Sequence, residues 1–158
     1  MKQLITFVFF IFILSLNAQE ATFKKFYKEH SDQSAFSINL NASFAGAFLD
    51  DGDKEDFGKL LKNSGDFKLM IFNNDNNEVG DDFKKYIRKN NLKTMARVKS
   101  DKSRAAFYVL EKNDIIKEII LHAKGDDDEL VLFGLKTNLT TDELAEIMSS
   151  SNFKVSTN

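Results

Sequence analysis

The chain has 158 residues, with 22 basic and 24 acidic side chains, sixteen phenylalanines, and neither cysteine, proline nor tryptophan. Without cysteine there is no disulfide scaffold, no thiol chemistry and no lipid-carrying residue. A mildly acidic balance without a basic patch argues against nucleic-acid binding, and the length suits one domain that buries about two thirds of its extended surface.

The chain opens on Lys2 and an apolar run over 4–16, interrupted only by Thr6 and Ser15. Such a run matches the core of a secretory signal peptide and falls short of the ~20 residues a membrane-spanning helix needs. Phe7, Phe9, Phe10 and Phe12 cover every face of the segment, so no stripe is left to dock on a domain. Small Ala18 follows, and cleavage is expected after Ala18 or Gln19. Residues 1–18 are read as the signal peptide, 19–150 as a single domain and 151–158 as a flexible tail. The competing reading is an uncleaved N-terminal anchor. Export to the periplasm or medium follows, as a protein that is not a lipoprotein and keeps no membrane anchor.

In chain order, Phe23, Phe26, Tyr27 and His30 repeat at i, i+3, i+4, i+7, which predicts an amphipathic helix over 22–31. Phe36, Ile38 and Leu40 alternate with Ser37 and Asn39, the pattern of a half-buried strand. Phe44, Ala47 and Phe48, then Phe57, Leu60 and Leu61, mark two helical pieces split by Asp50-Asp51-Gly52-Asp53. Residues 67–72 read as a short apolar strand, central in a sheet. Val79, Phe83, Tyr86 and Ile87 give a third helical stripe that ends near Asn90-Asn91. Strands are then predicted over 92–99, 104–110, 115–123 and 129–135, joined by short polar turns, which makes an antiparallel meander. Thr140-Thr141-Asp142-Glu143 is a capping box that starts a last helix carrying Leu144, Ile147 and Met148. The expected fold class is α+β: a two-layer sandwich, its mostly antiparallel sheet containing the four-strand C-terminal meander, with helices packed on one face.

The motifs of chemistry are missing. G-x-S-x-G, G-x-G-x-x-G and the Walker pattern do not occur, and only His30 and His122 could serve a Ser-His-Asp site. Two isolated histidines leave little for zinc or iron. Of three acidic loops, the one at Asn73, Asp75 and Asn77 comes nearest to a calcium loop. It carries Glu78 where a glycine is needed and Lys84 where a bidentate glutamate is needed. The turn at Asp126-Asp127-Asp128 suits a hairpin. No catalytic, metal-binding or cofactor-binding residue is assigned, and no cofactor is expected.

Several stretches together resemble the exported bacterial family known as domain of unknown function 4252, common in the Bacteroidetes. They are Asn17-Ala18-Gln19, Phe23-Lys24-Lys25-Phe26-Tyr27, the strand from Phe36 to Leu40, the Asp50-Asp51 break, and the closing order of strand, acidic turn, strand and helix up to Leu144. Order and spacing carry the resemblance, over nearly the whole mature chain. It implies a single α+β domain outside the cytoplasm and names no activity. Relatives in such families often bear a lipid-carrying cysteine, which this chain lacks.

Three functions stay open: a non-catalytic binding or interaction module of the cell envelope; an envelope stress factor that binds lipid or unfolded chains; and a small hydrolase assembled around His122 or His30. Along the meander Phe107 and Tyr108 point to opposite sheet faces, as do Leu132 and Phe133. If both faces carry apolar bulk, one of them meets something other than the helices. A face of lysine, glutamate and threonine would argue against a partner there.

Overall fold

A computed structural model describes residues 22–41, 60, 63–73, 77–100, 103–125 and 128–150. The signal peptide at 1–18, the helical pieces and acidic break within 44–59, and the tail at 151–158 lie outside the described residues.

The chain begins with helix α1 (Phe23–His30), a 3-10 turn (Ser31–Gln33) and strand β1 (Phe36–Asn41). Strand β2 (Ser64–Phe72) and helix α2 (Glu78–Lys89) follow. Strands β3 (Lys93–Lys99), β4 (Arg104–Lys112), β5 (Ile115–Lys124) and β6 (Leu130–Thr140) lead into helix α3 (Thr141–Ser150). The punctuation is local chemistry. Asn113 and Asp114 both adopt positive φ, at 52° and 60°, the mirror-image turn that joins two right-twisted strands in the fewest residues. Helix α2 ends with Asn91 in the left-handed region at φ 51°. There the Asn91 N–H donates to the Arg88 carbonyl and the Leu92 N–H to the Ile87 carbonyl, a Schellman closure that satisfies carbonyls the helix leaves free. The predicted capping box forms: the Glu143 N–H donates to Thr140 Oγ1 at 3.2 Å, and the Thr140 N–H donates to Glu143 Oε2 at 2.7 Å. The Thr140 N–H, and the Thr140 hydroxyl that donates to the same Oε2 at 3.0 Å, hold the Glu143 carboxyl below its ordinary range.

The six strands form one sheet in the order β1-β2-β6-β5-β4-β3, antiparallel throughout. The α+β class stands, with two corrections. The sheet is wider than the meander, because β2 pairs with the free side of β6 and β1 pairs with β2. Strand β2 is therefore interior, although one place from the edge. The helices also do not share a face. Tyr108 and Leu110 belong to the main core with α1 and α2, whereas Val109 between them packs with Leu144 of α3. Neighbours on a strand point to opposite faces, so α3 lies on the far side. The reason is continuity: β6 runs to Thr140 and passes into α3 at Thr141 without a loop.

The main core sits under α1 and α2. Phe23 and Phe26 meet Phe83 and Tyr86 in a cluster of rings, with the centroids of Phe26 and Phe83 5.6 Å apart. Below them lie Met70, Ile120, Leu130 and Leu132, all fully buried. Burying each such side chain stabilises by roughly 1.5–3 kcal/mol.

Candidate functional site

The two histidines sit in different settings on the helix-covered side of the sheet. His30 closes α1 and lines a shallow groove of about 200 Å³ between α1 and α2 with Glu29, Asp82 and Lys85. Its buried Nδ1 has no hydrogen-bond partner among the described residues, whereas a catalytic imidazole is oriented by a carboxylate at that atom. Among the described residues no serine, threonine or cysteine lines the groove. His122 lies on the helix-facing side of β5, its ring parallel to that of Phe83 at 5.2 Å. The structure does not bring the two histidines together.

Two of the acidic loops meet at a lysine. Lys124 Nζ donates to Asn77 Oδ1 at 2.7 Å and stands 3.0 Å from Asp128 Oδ1. The oxygens at the described ends of these loops thus face an ammonium group. Among the described residues no three histidine, aspartate or glutamate side chains are grouped to hold a metal ion.

Two charged side chains among the described residues are buried, Glu118 and Lys68, and sequence reasoning passed over both. Glu118 on β5 is 5% exposed. Its Oε1 and Oε2 accept the Phe23 N–H at 3.1 and 3.0 Å, and Oε2 also accepts the Tyr86 hydroxyl at 3.2 Å. Thr22, at the N-cap of α1, makes no side-chain cap, so a strand carboxylate satisfies the first free N–H of the helix and opposes its positive end. Burial first, then the Glu118 charge and its hydrogen bond, push the Tyr86 hydroxyl far above its ordinary range. Lys68 on β2 is equally buried, 3.8 Å from Asp66 and 6.0 Å from the centre of the Tyr27 ring. Burial lowers its pKa against the pull of Asp66. Glu118, Lys68, Asp66 and Lys136 line a notch of about 150 Å³ beside the start of α1. The legible signal was a lone glutamate between Ile116 and Ile119-Ile120. A bulge at Lys117 aims it: the pairing of β5 with both neighbours shifts between Ile116 and Glu118. The bulge turns Ile116 toward α3 and Glu118 toward α1.

The other sheet face is the larger feature. It carries Phe36, Ile38 and Leu40 from β1 and, opposite them in register, Ile71, Leu69 and Phe67 from β2. Val131 and Phe133 of β6 continue the array, matched by Ala123 and Leu121 of β5. Phe107 and Ala105 of β4, with Ala96 and Val98 of β3, complete it. Among the described residues the rows just named carry no charged or polar side chain; Lys93, opposite Val109, and Glu111, ion-paired with it at 3.0 Å, share this face at its α3 end. Helix α3 covers one end, where Val109, Ile116 and Leu135 are buried. Away from α3, Phe36 is 49% exposed, Val98 47% and Phe107 38%, and the remaining members are half-buried. Among the described residues no helix is long and apolar enough to cross a membrane.

These features define an α+β domain on a single antiparallel sheet, one face sealed by aromatic helices and the other apolar and only partly covered. The chain belongs to the family described as Domain of unknown function (DUF4252), which matches residues 27–147, from within α1 to near the end of α3. No curated protein and no solved structure matches the chain.

Proposed function

We propose that the chain is an exported, non-catalytic interaction module whose apolar sheet face receives a protein partner presenting an apolar helix or sheet surface. The observation that carries this reading is the uninterrupted apolar array across all six strands, whose members away from α3 are left half-buried or exposed. With strands about 4.8 Å apart and alternate residues about 6.7 Å apart, the array measures roughly 25 Å by 15 Å. That is the scale of the apolar patch at the centre of a protein contact, about half of one partner's share of a standard interface. An open sheet face suits a macromolecular surface better than a small ligand, which is held in a concave pocket. The charge-opened apolar run at 4–16 supports export.

A photoreactive amino acid at Phe107, introduced in the cells that make the protein, is expected to form discrete protein adducts. The same group at Lys89, on the exposed side of α2, is not. The captured protein, once purified, should bind the native chain and lose at least about tenfold in affinity for Phe107→Lys. Adducts with lipid alone, or the same adducts from both positions, would overturn the reading. The mass of the captured chain is expected to lack its first 18 or 19 residues.

A further inference from the structure

The two edges of the sheet are built differently. Strand β3 is guarded: Lys93, Arg97 and Lys99 stand along it, and its pairing with β4 is broken by a bulge between Thr94 and Ala96. Charges and bulges of this kind keep an edge from accepting another strand. Strand β1 has neither device. Phe36–Asn41 holds no charged residue, its six pairings with β2 run without a shift, and none of its residues is buried. A flat, uncharged edge is a template for a further strand unless something covers it.

We propose that the β1 edge is covered by β1 of a second copy of this chain, paired antiparallel about a two-fold axis. The contrast between the edges selects this occupant. A two-fold pairing through β1 consumes both unguarded edges and leaves only the two guarded β3 edges at the ends of the joined sheet, so assembly stops at the dimer. A strand from another protein would leave its own outer edge to be dealt with. Side-chain alternation limits the register as well. To keep Phe36, Ile38 and Leu40 of both copies on one face, residues of like parity must oppose each other. In the two such registers that pair most of the strand, either Ile38 or Asn39 faces its own counterpart. The joined sheet extends the apolar face across both copies, but the pairing stands whether or not that face binds a partner.

Sedimentation of the chain, as purified from the cells that make it, is expected to show a reversible monomer–dimer equilibrium. The double substitution Ser37→Lys with Asn39→Lys sets lysine against lysine in both allowed registers. It should raise the dissociation constant at least about tenfold. Thr94→Lys on the β3 edge and Phe107→Lys on the open face should leave it unchanged. Should the double variant fail to fold, hydrogen exchange of the native chain decides instead: the β1 amides should slow as concentration rises through the dimer range, while those of β3 do not. A chain monomeric up to millimolar concentration, a dimer indifferent to the β1 lysines, or β1 amides protected at every concentration would each overturn the proposal.

Discussion

Glu118→Ala is expected to cost the fold about 3–5 kcal/mol, read as a lower urea midpoint at unchanged slope. Three groups depend on that carboxylate. The Phe23 N–H and the Tyr86 hydroxyl lose their acceptor, and a buried donor without a partner costs about 1–3 kcal/mol. The buried Lys68 loses a nearby negative charge that favours its ammonium form. Glu118→Gln keeps the shape and one acceptor oxygen and should cost about half as much. Tyr86→Phe should be nearly free in the Glu118→Ala background and cost about 1 kcal/mol in the native one, because the bond it removes is already gone. Additive effects of the two substitutions would show that the hydroxyl and the carboxylate do not interact.

The same site sets an alkaline limit. Tyr86 keeps its proton in the folded chain well past the ordinary value of 10.0, while the unfolded chain gives it up near there. Above that pH the folded state holds more protons than the unfolded one, so stability falls as pH rises. Lys68 acts in the opposite direction. Its folded pKa lies below the ordinary 10.5, so its contribution to stability grows with pH and is complete once the unfolded lysine has also lost its proton. Above pH 10.5 the slope that Tyr86→Phe removes is therefore the tyrosine's, and an equal slope in both chains would contradict the assignment.

Gly134→Ala should be almost as damaging, at about 2–3 kcal/mol, although it adds a single methyl group. Gly134 lies on β6 between Lys68 and Ile120, under the N-terminal turn of α1. A Cβ there would overlap the Phe23 ring at Cδ1, Cε1 and Cγ. The glycine is required by close approach, since no described glycine has positive φ. Lifting the Phe23 ring would also draw its N–H away from Glu118, so the two costs are linked. Phe23→Ala makes room for the methyl group, and the double variant should be more stable than the sum of the single effects predicts. Strict additivity by thermal or urea unfolding would mean that α1 shifts freely over the sheet.

Local pattern carried the elements far. The 3.6-residue stripes of α1 and α2, the alternation of β1, the turn at Asn113-Asp114 and the capping box at Thr140 all depend on residues within a few positions of one another. That is why they could be read along the chain. Family membership, seen first as a resemblance in order and spacing, was legible for the same reason. The cap of α1 was not: Phe23 and Glu118 are 95 residues apart, and no window along the chain contains both.

Sequence by itself therefore determined the α+β class, the order of the described elements, the absence of cysteine chemistry and the near-neutral charge. It also showed that the meander strands carry apolar residues on both faces. Only the tertiary structure decided that β1 and β2 extend the sheet beyond β6, that a bulge turns Glu118 toward α1, and that α3 crosses to the far side. The physical reason is range: propensity and periodicity act over one or two turns of chain. Strand order, the aim of a buried carboxylate and the cover on each sheet face are set by contacts between distant segments. The apolar face shows the division most plainly. Its residues were visible as alternation, but that so few described side chains cover it depended on where three helices came to rest.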